Sequence, residues 1–152
     1  ITVGDEELVV SFLDMVENHK MVVENSGLLT VAALKHLDVK NKKVVAILSG
    51  GNMDVITMSS VVQQGLVLRD RIFSVSVLLP DKPGELSRVA DVIAKQNGNV
   101  IKLEHNQFVS INRNAEVELR ITMEAFGTEH KNQIISSLQQ NGYQPKLIRA
   151  SI

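Results

Sequence analysis

Two short stretches of this 152-residue chain carry polar groups where a ligand could meet the backbone. In the first, an apolar run at residues 44–48 (VVAIL) ends abruptly in Ser49-Gly50-Gly51-Asn52. A strand that empties into glycines lets a polar ligand approach both main chain and serine hydroxyl closely. The second is the loop LPDKPGEL at residues 79–86. There Pro80 stops a strand, Pro83 fixes the turn, and Gly84 removes the side chain where a helix begins. The helix N-terminal N–H groups left open at such a place suit the carboxylate or phosphate of a small anionic or zwitterionic ligand. An ordinary strand-to-helix turn would look the same.

Other chemistries find no support. The net charge is −1, so the excess of basic residues that nucleic acid requires is missing, and 4 Phe, 1 Tyr and no Trp leave few platforms for stacked bases. Without cysteine there is no thiolate nucleophile, disulfide or Cys-based zinc site, and a reducing, cytoplasmic setting is expected. His19, His36, His105 and His130 are too scattered for short-range metal ligation, so no metal is expected. No apolar stretch approaches the ~20 residues that span a bilayer, so no membrane partner is expected. The lysines fall on helical faces, loops and strand edges and read as solvated charge. Residue 1 is isoleucine and a helix-ready segment follows at once, which reads as the interior of a longer protein.

The elements that must position the two stretches differ in pattern. In the first half, Leu8, Val9, Phe12, Leu13 and Val16 follow a helical period behind the acidic turn Asp5-Glu6-Glu7, predicting a helix over residues 5–18. The short apolar stretch 21–23 and the run 44–48 read as strands, the run as one buried on both faces, with helices at 28–37 and 53–64, the last closed by Gly65. The expected order is αβαβα, an α/β piece.

The second half alternates. Phe73, Val75, Val77 and Leu79 face one way and Ser74 and Ser76 the other; Val117, Leu119, Ile121 and Met123 alternate with polar residues. That pattern predicts a sheet with one covered face. Helices are predicted from Leu86, Val89, Ala90, Ile93 and Ala94, and from Ile134, Ile135 and Leu138. Both end in Gln-Asn-Gly, with Gly98 and Gly142 as left-handed terminators. Further strands are expected in NVIKLEH and YQPKLIR, and a hairpin turn near Asn112-Arg113-Asn114. The sum is a ferredoxin-like βαββαβ unit, divided from the first half at the charged residues near 65–71, giving domains at 1–68 and 69–152.

The stretch VSVLLPDKPGELSRVADVIAKQNGNVIKLEH, with a second β-α-β behind it, resembles an ACT domain, a small α+β regulatory module that binds amino acids between paired copies. The resemblance implies an effector held by Asp81, Pro83, Gly84, Glu85 and Leu86 of one copy and by Asn99, Val100 and Ile101 of a neighbour. It also implies a homo-oligomer. The first half, through DEELVVSFLDMVENHKMVVENSG, VAAL and KKVVAILSGGNMD, is similar to the end of the catalytic domain of fold-type II pyridoxal-phosphate enzymes, most of all the threonine ammonia-lyases. That similarity implies that Ser49 hydrogen-bonds the cofactor's pyridine nitrogen, that Gly50 and Gly51 leave room beside the ring, that Asn52 fixes the turn, and that Glu24 lines the pocket. Glu24 also reads as an acid facing a helix N-terminus. The family's G-A-G run after this glutamate is replaced by Asn25-Ser26-Gly27. The Schiff-base lysine and phosphate loop have no counterpart here, so the chain is expected to be inactive alone. By this resemblance the parent deaminates L-threonine to 2-oxobutanoate, and the chain is its regulatory portion with an effector such as isoleucine. A stand-alone amino-acid-binding module, or the tail of a serine dehydratase or racemase relative, would share these features.

Overall fold

A computed structural model describes residues 1–106 and 116–150, Glu116 by its backbone alone. The chain divides into two compact units, the first ending at Leu68 and the second beginning at Arg69.

The first unit is helical. Helix α1 (Asp5–Asp14) places Asp5, Glu6 and Glu7 in its first turn, where negative charge meets the positive end of the helix dipole. The Glu7 carboxylate accepts the Gly4 backbone N–H at 2.9 Å and lies 2.6 Å from His36 Nε2. These contacts, the Gly4 N–H foremost, hold its pKa below the ordinary carboxylate value. The predicted helix over 5–18 is therefore present, but its last turn is a π-turn, Met15–His19, closed by Lys20 in the left-handed region at φ 59°. A 3₁₀ turn (Asn25–Leu28), helix α2 (Leu29–Ala33) and another 3₁₀ turn (Leu34–His36) follow. Helix α3 runs Val55–Leu68. Leu8, Val9, Phe12, Met15, Val23, Leu28, Ala32 and Val61 form the core of the unit.

Two expectations for this unit are corrected. Residues 21–23 and 44–48 are not strands. Val45 is 89% exposed and Ile47 72%, and the run has no ladder partner among the described residues, although its last residue, Leu48, packs against the core of the unit. A strand exists only through hydrogen bonds to its neighbours, and an apolar run cannot supply those by itself. Gly65 does not end α3. It is buried inside the helix, and a Cβ there would lie 3.3 Å from Leu13 Cδ2 and 3.5 Å from Val9 Cγ1, so the glycine admits α1 to close approach.

The second unit contains a four-stranded antiparallel sheet with the order β2-β3-β1-β4. Its strands are β1 (Ile72–Pro80), β2 (Asn99–Asn106), β3 (Glu116–Glu124) and β4 (Lys146–Ile148). Helix α4 (Glu85–Lys95) joins β1 to β2, and α5 (Thr128–Gln140) joins β3 to β4. This is the split βαβ topology. The register sets Val75 against Ile121 and Val77 against Leu119. Those four, with Phe73, Leu79, Val89, Ile93, Ile134 and Leu138, belong to one core. The buried stripe of α4 is Val89, Val92 and Ile93, while the expected Leu86, Ala90 and Ala94 are exposed. The turn expected at 112–114 lies outside the described residues.

The second face of this sheet is polar, as the alternation predicts, yet its centre is buried. Ser74 is 2% exposed and bonds Thr122 across the strands at 2.7 Å; Ser76 donates to Glu118 at 2.6 Å, and Arg120 donates to Glu118 at 3.1 Å. The small serines lie between larger cross-strand partners, Thr122 and Ile148 for Ser74 and Arg120 and Lys146 for Ser76. The donated bonds, Ser76 first, hold the Glu118 pKa below the usual carboxylate value.

The two Gln-Asn-Gly ends use different residues for one job. After α4 the left-handed residue is Asn97 at φ 59°, and the Gly98 N–H reaches the Ile93 carbonyl at 3.1 Å. After α5 it is Gly142 at φ 88°, and the Tyr143 N–H reaches the Leu138 carbonyl at 3.1 Å. Both are Schellman closures, with the word shifted by one residue. Gly98 is instead required by space, since a Cβ would come within 2.8 Å of Ile93 Cγ2.

Candidate functional site

In the first unit the chain folds residues 22–27 against the turn at 47–53. The Glu24 N–H donates to the Gly50 carbonyl at 3.3 Å, and the Thr30 hydroxyl donates to the Ile47 carbonyl at 2.7 Å. Gly50 takes φ 79°, and a Cβ there would collide with the Glu24 carboxyl group. Glu24 and the Ser-Gly-Gly-Asn turn, 25 residues apart in sequence, are thereby brought together. The Glu24 side chain does not cap the following 3₁₀ turn; it accepts the Ser26 hydroxyl at 2.7 Å. Standing directly before that turn, Glu24 is both an acid at a helix N-terminus and the neighbour of Gly50.

Ser49 is exposed, and its hydroxyl has no hydrogen-bond partner among the described residues. Asn52 is exposed too, and no side-chain bond of its own ties the turn among the described residues. The Met53 N–H instead closes back on the Gly51 carbonyl at 3.0 Å. Asp54 follows as the cap of α3, accepting the Thr57 N–H at 2.9 Å. Bonds from the Thr57 side chain and backbone hold the Asp54 pKa low. The Asp-x-x-Thr spacing could have disclosed this cap in the sequence. The Thr30 bond had no such signal, because its acceptor lies 17 residues away.

In the second unit the loop after β1 is exposed from Pro80 to Gly84. Gly84 stands at the N-cap of α4 with φ 90°, a conformation that favours glycine, and nothing lies within 4 Å of a Cβ built there. Leu86 is exposed beside it. Glu85 differs: its carboxylate takes a 2.9 Å ion pair from Arg88 and lines a groove of about 460 Å³ with Lys95 and Tyr143. Burial first, and the Glu85 charge second, push the Tyr143 pKa up.

Asn99, Val100 and Ile101 open β2, an edge strand exposed along its whole length, with a register shift between Val100 and Lys102. The ladder fixes where these residues stand relative to the loop. Asn99 pairs with Glu124, which pairs with Ile72 at the start of β1, whereas the loop leaves β1 at Pro80. At about 3.3 Å per residue, the two sets lie roughly 25 Å apart along the strands, at opposite ends of the sheet. One copy does not bring them together.

Among the described residues no helix is long and apolar enough to cross a membrane, and no three metal-ligating side chains are grouped. No family model matches the chain. It is 37% identical over 145 residues to an L-threonine ammonia-lyase of Geobacter sulfurreducens, an alignment taking in 94% of this chain and 36% of that protein. It is 30% identical over 149 residues to an L-threonine ammonia-lyase of Thermotoga maritima, covering 97% of this chain and 37% of that one. Among solved structures, a putative glycine cleavage system transcriptional repressor overlaps 53% of this chain and 46% of its own at 16% identity and a TM-score of 0.39, a likeness from which nothing further follows. The chain spans little more than a third of the length of these two curated relatives. Across both of its units, the chain belongs by sequence to the threonine ammonia-lyase family, as a stretch of about a third of such a protein.

Proposed function

We propose that this chain is the C-terminal part of a pyridoxal-phosphate-dependent threonine ammonia-lyase, residues 1–68 ending its catalytic domain and residues 69–152 forming an ACT regulatory domain. The observation that carries the reading is the sequence relationship to threonine ammonia-lyases, which runs through both units. The parent would convert L-threonine to 2-oxobutanoate and ammonia.

The first unit offers one wall that fits the cofactor. Ser49 presents an exposed hydroxyl with no partner among the described residues, and Gly50 and Gly51 carry no side chains beside it. When bound, the cofactor supplies the electron sink for α-proton loss and β-elimination. Ser49 would hold the ring nitrogen through a neutral hydrogen bond that leaves this nitrogen unprotonated. Glu24 would line the same wall, held over Gly50 by its backbone bond. Asn52 would border it from the turn. With no Schiff-base lysine on this wall, the isolated chain should form no 2-oxobutanoate from threonine when supplied with pyridoxal phosphate.

The second unit would bind an amino-acid effector such as isoleucine. The carboxylate suits the N–H groups of Gly84, Leu86 and Ser87 at the start of α4, since those of Lys82 and Glu85 already go to the Pro80 and Lys82 carbonyls; Asp81 and Pro83 would border the same place. Leu86, Val100 and Ile101 are exposed apolar side chains suited to an aliphatic effector. Because the loop and the β2 start occupy opposite ends of one sheet, the site would be completed by Asn99, Val100 and Ile101 of a second copy, which makes the assembly a homo-oligomer in which the effector selects between states. Calorimetric titration of the chain with isoleucine, valine, serine and threonine tests the reading. Saturable binding of a branched-chain amino acid is expected; heat from none of the four would remove the regulatory role.

A further inference from the structure

Glycine is needed at position 27 for space, and the neighbour that claims the space is Ser49. Gly27 is buried, and its φ lies outside the left-handed region, so its backbone shape alone would admit any residue. A Cβ built there, however, would fall on the Ser49 carbonyl oxygen, 2.8 Å from the Ser49 carbonyl carbon and 2.8 Å from Val23 Cγ1. Two of these three neighbours are backbone atoms, which cannot swing away as the end of a side chain could. The same strip of chain holds the turn at two further points, the Glu24 N–H on the Gly50 carbonyl and the Glu24 carboxyl against the Gly50 Cα face.

We propose that Gly27 is a positioning residue for Ser49: its bare Cα is the floor on which the Ser49 main chain rests, and that seating aims the Ser49 hydroxyl at its ligand. The proposal rests on the assignment of Ser49 to the cofactor ring given above. The turn's own bonds would not suffice, since the Met53-to-Gly51 closure leaves Ser49 outside its ring.

Gly27→Ala forces the Ser49 backbone to move. In the isotopically labelled chain the amide signals of Ser49 and Gly50 should shift, and the Glu24 amide should lose protection from hydrogen exchange. Gly65→Ala, which crowds Leu13 and Val9 in the helical core, serves as the comparison and should leave those three signals in place. A folded Gly27→Ala chain with unchanged Ser49, Gly50 and Glu24 amides would overturn the proposal. In the complete enzyme bearing this chain, Gly27→Ala should weaken pyridoxal phosphate binding about tenfold, the scale of one hydrogen bond, and displace the absorption band of the bound cofactor. In a Ser49→Ala background the same substitution should add little, because both act through one contact. Additive losses would assign Gly27 a general structural role and contradict the proposal. A shifted Ser49 amide with cofactor affinity and spectrum unchanged would leave Gly27's hold on Ser49 standing and overturn the cofactor assignment of Ser49.

Discussion

Residues 44–48 and residues 73–79 are both rich in β-branched and aliphatic side chains, and they end in opposite states. Val75 and Val77 are fully buried, with an antiparallel partner on each side of Val75. Val45 and Ile47 are among the most exposed apolar residues of the chain, and their segment has no ladder. The difference lies in where the partners are encoded. β1 finds β3 and β4 within its own unit, whereas a run apolar on both faces needs neighbours on both sides and helices above and below. A strand's existence is thus a property of the sheet, and only the alternating pattern carries information about a sheet that the same segment of chain can complete.

Substitutions along this contrast should separate the two regions. The largest effect is expected at Leu119→Ala, which empties a fully buried site in the sheet core. It should cost about 2–5 kcal/mol in urea unfolding monitored on the second unit; a loss below 1 kcal/mol would mean the core is not packed as described. Next comes the pair of helix ends. Gly142→Ala places a Cβ at φ 88° and should cost about 1–2 kcal/mol, while Gly98→Ala should fail through collision with Ile93 and Ile134, and Asn97→Gly should be harmless. If Asn97→Gly proved as costly as Gly142→Ala, the shifted closures would be wrong.

A pH effect follows from Glu118. Its folded pKa is lowered, so its contribution to stability is present above the unfolded carboxylate pKa of about 4.3 and is lost as pH falls through the lower folded value. The second unit should therefore lose stability on acidification below about pH 4.3, and Glu118→Gln should flatten that part of the profile. An unchanged profile would place the titration elsewhere. The smallest effect is expected at Val45→Lys, within about 0.5 kcal/mol, since the side chain is already in solvent. A severe loss there would show that the run is covered in solution.

The sequence was legible where pattern and partner lie in one unit. Alternation at Val117, Leu119, Ile121 and Met123 and the helical spacing of Ile134 and Leu138 lead directly to the sheet and to α5. It misled where a residue's duty is set by a distant neighbour. Gly65 looks like a terminator in its own helix and is a packing surface for α1. Ser74 and Ser76 read as solvent-facing and are buried, because the cross-strand residues that enclose them are far away in sequence. At the candidate cofactor wall, Glu24 and Ser49 were visible as residue types, but the bearing of Gly27 on Ser49 spans 22 positions and leaves no local signature. The loop at 81–86 was readable as an open helix start; that its partner strand lies at the other end of the sheet required the register.

The central claim is that the two units carry separate duties, a cofactor wall in one and an effector site in the other. The most direct test is a residue-resolved amide spectrum of the labelled chain during titration with isoleucine. The account predicts saturable shifts at the amides of residues 81, 82, 84–86 and 99–101 with those of residues 49–52 unmoved. A folded chain whose residues 81–86 and 99–101 stay unmoved at saturating isoleucine, or whose shifts fall on the serine-glycine turn instead, would contradict it.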